Sequence, residues 1–170
     1  MGQPEKPPQS ALADLIAAAE EGRLTVGFNS DMRINAEEFA YLERDCRAFK
    51  ESIQNLQRVA GEIAAQEKWG LGEDRSILTS AEVLVHRFRA KAAIVDSGRD
   101  SGNNVYDILD QHYRIVDSLQ ELHRVIAQRY IEADQVFAAR YNELMANMPP
   151  SSIGNSPFQG PMQTGEGKWR

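Results

Sequence analysis

Cysteine is nearly absent from this chain: Cys46 stands alone among 170 residues. No intrachain disulfide can form and no cysteine-based zinc cage can be built. Long apolar runs are missing too; no stretch approaches the ~20 apolar residues that cross a bilayer as a helix. The opening, Met1-Gly-Gln-Pro-Glu-Lys-Pro-Pro8, lacks the basic start and apolar core of a secretory signal peptide. A protein of this kind is expected to leave the cytoplasm, if it does, folded or by a dedicated route. Excess positive charge is also lacking. Nineteen basic residues face 25 acidic ones, for a formal charge of −6, which argues against a general nucleic-acid binder. The one basic cluster, His86-Arg87-Phe88-Arg89-Ala90-Lys91, reads as a solvated helix face.

What is present is helical periodicity, and the fold class it implies is all-α. The expected architecture is an elongated helical hairpin or bundle with three main helices, over about 35–68, 79–96 and 104–146. A short helix over Ala11–Glu21 precedes them, capped by Ser10 and stopped at Gly22. Residues 1–9 and the Gly/Pro-rich tail 149–170 are expected to be disordered, leaving 10–148 as the domain. The alternating run Leu24-Thr-Val-Gly-Phe28 has no second strand to pair with and reads as linker.

Asn35 with Glu38 forms a capping-box pattern ahead of the first long helix. Its apolar positions Phe39, Leu42, Cys46, Phe49, Ile53, Leu56, Ala60 and Ile63 step by 3 and 4 in alternation, a heptad seam that predicts a partner helix. Glu43, Arg44, Arg47, Lys50, Glu51, Gln54 and Arg58 are expected on the opposite, wet face. Trp69-Gly-Leu-Gly-Glu-Asp74 breaks this helix, because glycine disfavours helix continuation by ~1 kcal/mol. Thr79-Ser-Ala-Glu82 then has the pattern of another capping box, opening a helix that buries Ala81, Leu84, Val85, Phe88, Ala92 and Val95. The last helix carries a stripe through Val105, Leu109, His112, Val116, Leu119, His123, Ile126, Tyr130, Ala133 and Phe137, widened by Ile108, Ile115, Leu122 and Val136 to bundle breadth.

Catalytic chemistry is not legible in this pattern. His112 and His123 lie three helical turns apart with no acidic or histidine partner at i+4. No glycine-rich phosphate loop follows a strand. The reading is therefore non-enzymatic, with no cofactor, no metal site and no catalytic residues, and function is sought in a surface that another protein reads.

Tyr130 and Asp134 stand one helical turn apart late in the last helix, ahead of a tail of low complexity, and Trp69 and Gly72 mark the break between helices. Together these features resemble substrates of the type VII (ESX) secretion systems of actinobacteria, over about residues 24–145. Members are small helical hairpins or bundles without a signal peptide, exported as folded dimers or oligomers. A W-x-G turn joins their helices, and a Y-x-x-x-D/E signal near a helix end is needed for export. The stretch Ile126–Asp134 is similar to the C-terminal helix of ESX secretion-associated proteins, and Leu24-Thr-Val26 looks like their opening. Trp69-Gly70-Leu71-Gly72 is one residue longer than the family turn. The resemblance implies that Tyr130 and Asp134 form a secretion signal, with Trp69, Gly70 and Gly72 as the turn. It also implies a helical partner, either another copy or a different protein, and a secretion ATPase as reader. Membrane contact stays open, and the implied location is secreted or cell envelope.

The alternative is a cytoplasmic coiled-coil scaffold or adaptor forming helical oligomers, with Tyr130 simply packed in its core. A geometric expectation accompanies the export reading. If the last helix runs parallel to the first, Tyr130 arrives level with Trp69 and the two form one composite patch.

Overall fold

The structure, a computed structural model, describes residues 12–25, 34–98 and 103–154. The expected disorder of residues 1–9, the Ser10 cap, the linker at Val26–Phe28 and the tail beyond residue 154 lie outside those residues. Within them the chain is all-helical, with no strand. Five helices follow in order: α1 (Ala13–Glu20), α2 (Ala36–Ala65), α3 (Thr79–Ala92), α4 (Val105–Ala133) and α5 (Gln135–Asn147).

α2 is the hub, with α3, α4 and α5 all packed on it, while α1 packs on α4. Asn35 opens α2 as its pattern predicts, its side chain accepting from the Glu37 amide at 2.9 Å. The Thr79 capping box does not form: Leu78 occupies the N-cap position of α3 and makes no side-chain cap. Asn104 caps α4 instead, accepting from the Asp107 amide, and is itself almost fully buried.

α2 and α4 run antiparallel. Phe39 lies against Tyr130, Arg124 reaches Glu43, Lys50 meets Asp117 at 2.6 Å, and Gln57 donates to the Tyr106 carbonyl. This overturns the parallel arrangement. α3 spans only 14 residues and does not carry the chain back along α2. It lies against the last turns of α2, where Arg89 Nε donates to the Ala64 carbonyl at 2.7 Å. α4 therefore starts beside the end of α2 and runs back toward its beginning.

The single helix expected over 104–146 is in fact two helices. Asp134 adopts an extended backbone (φ −136°, ψ 109°), ending α4 and beginning α5. Its carboxylate accepts from the amides of Val136 and Phe137, two of the orphan donors that open any helix. The chain turns sharply there, and α5 crosses the first turns of α2, where Arg140 pairs with Glu37. The segment after α5 is pinned as well. Ser151 donates its hydroxyl to Asp45 at 2.7 Å, and Arg44 donates to the Pro149 carbonyl. The tail expected to be disordered from 149 is thus packed at least through Gly154.

The packing seam of α2 is also narrower than its heptads suggest. Ile53 and Ala60 are buried on it, together with Ala36, Ala40 and Ala64, which the heptad does not include. Phe39, Leu42, Cys46 and Ile63 are half-buried. Phe49 and Leu56 are not in the core: they are 46% and 54% exposed. On α4, Val116 is buried, Ile126 half-buried and Leu119 exposed. The buried positions are mostly alanines, and the larger side chains on their flank stay uncovered. The same thinning occurs on α3, where Ala81, Val85 and Ala92 face α2 while Leu84, Phe88 and Val95, expected inside, are exposed.

Candidate functional site

Tyr130 sits in the last turn of α4, four residues before the corner at Asp134. Its ring is half-buried within an aromatic cluster built by three helices. Phe39 from α2 lies 6.0 Å from it, and Phe137 from α5 lies 5.5 Å away. Phe39 and Phe137 meet edge-on at 5.8 Å, His123 adds a fourth ring beside Phe39, and Tyr141 stacks on Phe137. Such pairs add about 0.5–1.5 kcal/mol each beyond the area they bury. Asp134 is exposed. The two residues stand at the end of α4, joined by the Asp134 amide donating to the Tyr130 carbonyl at 2.8 Å, the tyrosine half-buried and the aspartate exposed. The carboxylate nevertheless has a local task, since it caps α5. The i,i+4 spacing does not place the pair on one continuous helical face, because the helix stops between them.

Next to the aromatic cluster lies a polar node that the sequence reading placed on the wet face. Glu43 is 6% exposed. One of its oxygens accepts from Gln120 at 2.7 Å, Arg124 at 2.9 Å and Arg47 at 3.3 Å. Burial pushes the carboxyl up, but the hydrogen bonds from Arg124 and Gln120 and the charge of Arg124 outweigh it, so Glu43 is held below the usual carboxylate range. Burial and the nearby Glu43 charge raise both the Cys46 thiol and the Tyr141 phenol. Cys46 is thus disfavoured as a thiolate. The signal for this node was legible in principle: Glu43 lies between Phe39 and Cys46 on the stripe, and Gln120 and Arg124 form an i,i+4 pair beside Val116.

Trp69 lies at the other end of α2. Its ring stacks on Phe88 at 5.7 Å, and its indole N–H donates to the Gln66 carbonyl. Gly70 and Gly72 both take positive φ, 73° and 89°, which lets this turn leave α2. A Cβ at Gly72 would stand 2.6 Å from Leu78 Cδ1. From Phe39 to the end of α2 the helix rises roughly 40 Å at ~1.5 Å per residue. Trp69 and Tyr130 are therefore at opposite ends of the molecule, and they do not form a composite patch.

Between those ends runs a bare apolar strip. Lys50–Asp117 and Gln57–Tyr106 set the register, which puts Phe49 level with Leu119 and Leu56 level with Ile108. Helical phase puts these residues, with Ile115, on the edge of the α2–α4 contact away from Glu43 and Lys50. All five are exposed. The row continues on α4 into half-buried Leu122 and Ile126, at the end where α1 packs and Arg129 donates to the Ala19 carbonyl.

Among the described residues, no three His, Cys, Asp or Glu side chains are placed to hold a metal ion. Nor is any helix there long and apolar enough to cross a membrane. No protein-family model, curated protein or solved structure matches this chain.

Proposed function

We propose that this protein acts without enzymatic chemistry, by protein contact, as a substrate or partner exported by a type VII (ESX) secretion system and read at the α4–α5 corner. The observation that carries this reading is the corner itself. Tyr130 and exposed Asp134 stand together where two helices meet, held by packing against Phe39 and Phe137, so an outside protein meets a rigid phenol beside a carboxylate. Preorganisation of this kind lowers the entropy lost on binding.

The test must separate recognition from capping. Asparagine caps helices about as well as aspartate, so Asp134→Asn removes the charge and keeps the fold. Export to the culture medium of a host with such a system should fall for Asp134→Asn and for Tyr130→Phe while both accumulate normally in cells. Undiminished export of both variants would leave the pair with a purely structural role.

The bare strip favours a second reading, a helical scaffold or adaptor. Phe49, Leu56, Ile108, Ile115 and Leu119 form one exposed apolar band, the kind of feature that marks contact surfaces when contiguous. A helix of a second copy or of another protein would cover it. Solution mass by light scattering checks this: a helical oligomer should dissociate on Phe49→Glu, whereas a monomeric wild-type protein removes the self-assembly form of the reading.

A further inference from the structure

α3 and the turn leading into it differ in character from the rest of the chain. The helix carries three basic residues against one acidic in a protein of net charge −6. Ala81, Val85 and Ala92 hold it on α2, and Arg89 is turned inward to the Ala64 carbonyl. By helical phase its outer face presents Val83 and Arg87, with Lys91 and Leu84 toward one flank, Glu82 on the other, and Phe88 at the edge of the buried side, stacked on Trp69. The three apolar residues are 51%, 43% and 48% exposed, and Ile77 just ahead of the helix is 87% exposed. Arg87 and Lys91 are exposed too.

We infer that this face, Ile77 with the outer side of α3, is a docking surface for an anionic lipid bilayer. Charge complementarity selects the occupant. Exposed apolar side chains beside Arg87 and Lys91, with the acid Glu82 on the opposite flank, match the boundary between headgroups and acyl chains. There the aliphatic stems enter and the charged heads stay at the phosphates. The rest of the molecule is acidic and is repelled by such a surface, so only the α3 end can approach it. The mode is peripheral, since 14 residues are too short to span. It is independent of the export reading, because Tyr130 and Asp134 lie at the far end of α2.

The experiment is co-sedimentation of the full chain with vesicles of equimolar phosphatidylglycerol and phosphatidylcholine, against pure phosphatidylcholine, at low and high salt. The protein is expected to pellet with the anionic vesicles at low salt, to be released by salt, and to stay in solution with the neutral ones. R87Q combined with K91Q should weaken partitioning roughly 25-fold, at about fivefold for each cation. Ile77→Ser combined with Leu84→Ser should weaken it by about tenfold or more, and Arg58→Gln, on an exposed turn of α2, should change it little. All these side chains are exposed, and helical circular dichroism identifies any variant that fails to fold. The inference is overturned if the wild-type chain stays in the supernatant, if it pellets equally with neutral vesicles, or if the Ile77/Leu84 pair is without effect. Retention on immobilised polyglutamate without vesicle binding would assign the face to an acidic protein instead and equally overturn it.

Discussion

The two ends of α2 use similar residues to opposite effect. At its beginning, Phe39, Tyr130, Phe137, Tyr141 and His123 interlock, with the Glu43 node beside them. At its end, Trp69 and Phe88 make one stack, surrounded by exposed Leu71, Ile77, Leu78 and Leu84. The first end holds more rings, and it also has more helix folded over it. α4 and α5 both fold onto the first turns of α2, whereas its last turns meet the short α3 and only the beginning of α4. A ring becomes core only where a third helix closes over it, so one end is built for rigidity and the other is left open for contact.

The largest expected effect follows directly. Phe137→Ala removes a ring that is 6% exposed and touches three others. It should destabilise the protein by about 3–5 kcal/mol. Phe88→Ala, at the open end, should lose about 1 kcal/mol, mainly its stack on Trp69. Equal losses in urea denaturation would mean that the ends do not differ in the way argued.

The Glu43 node sharpens the contrast, since among the described residues only the closed end buries a charge. Glu43→Ala leaves the Gln120 amide and Arg124 without their acceptor, and should cost about 2 kcal/mol. Arg124 is half exposed and turns to water, which keeps the loss below that of a fully buried pair. Because the folded-state carboxyl is held below its usual value of 4.5, its contribution is present above that pH and fades as pH falls through the lowered value. Urea midpoints of wild type and Glu43→Gln should therefore converge on acidification. A gap that persists unchanged at low pH would contradict the assigned cause.

How much of this was legible in the sequence varies by element. Helix existence was, because α2 and α4 carry long unbroken stripes with Asn35 at the entry of the first. The side on which large residues end up was not. Heptad spacing marks Phe49, Leu56 and Leu119 as core, yet Ile53, Ala60 and Val116 are the residues buried along that stretch and those three stay on its rim. Direction was invisible too, since only the packing of α3 decides that α4 returns antiparallel. The corner at Asp134 had a signal, an aspartate followed by residues that can start a helix, but Val116, Ile126, Tyr130 and Phe137 keep helical step across it. Periodicity counts positions and does not register that the axis has turned.

That corner gives the next smaller effect. Asp134→Ala should lose about 1 kcal/mol and loosen Phe137, while Asp134→Asn should stay within a few tenths of wild type. Thermal melts of the two variants suffice, and an alanine variant as stable as wild type would remove the cap from the account of the closed end.

The smallest effect belongs to the open end. Glu73 accepts from the backbone amides of Trp69, Gly70 and Leu71, and these bonds, that to Trp69 foremost, hold its carboxyl down to about 2. A depressed folded-state value means that the turn gains from Glu73 above about pH 4.5 and loses that support as pH falls toward 2. The group is open to solvent, so the consequence is local loosening of the turn rather than global unfolding. Trp69 reports it directly: in a Trp169→Phe background its fluorescence should shift between pH 4.5 and 2 while helical circular dichroism holds. In Glu73→Gln the same titration should be flat. A transition of equal size in that variant would place the acid-sensitive group elsewhere and take the carboxylate out of the turn's support.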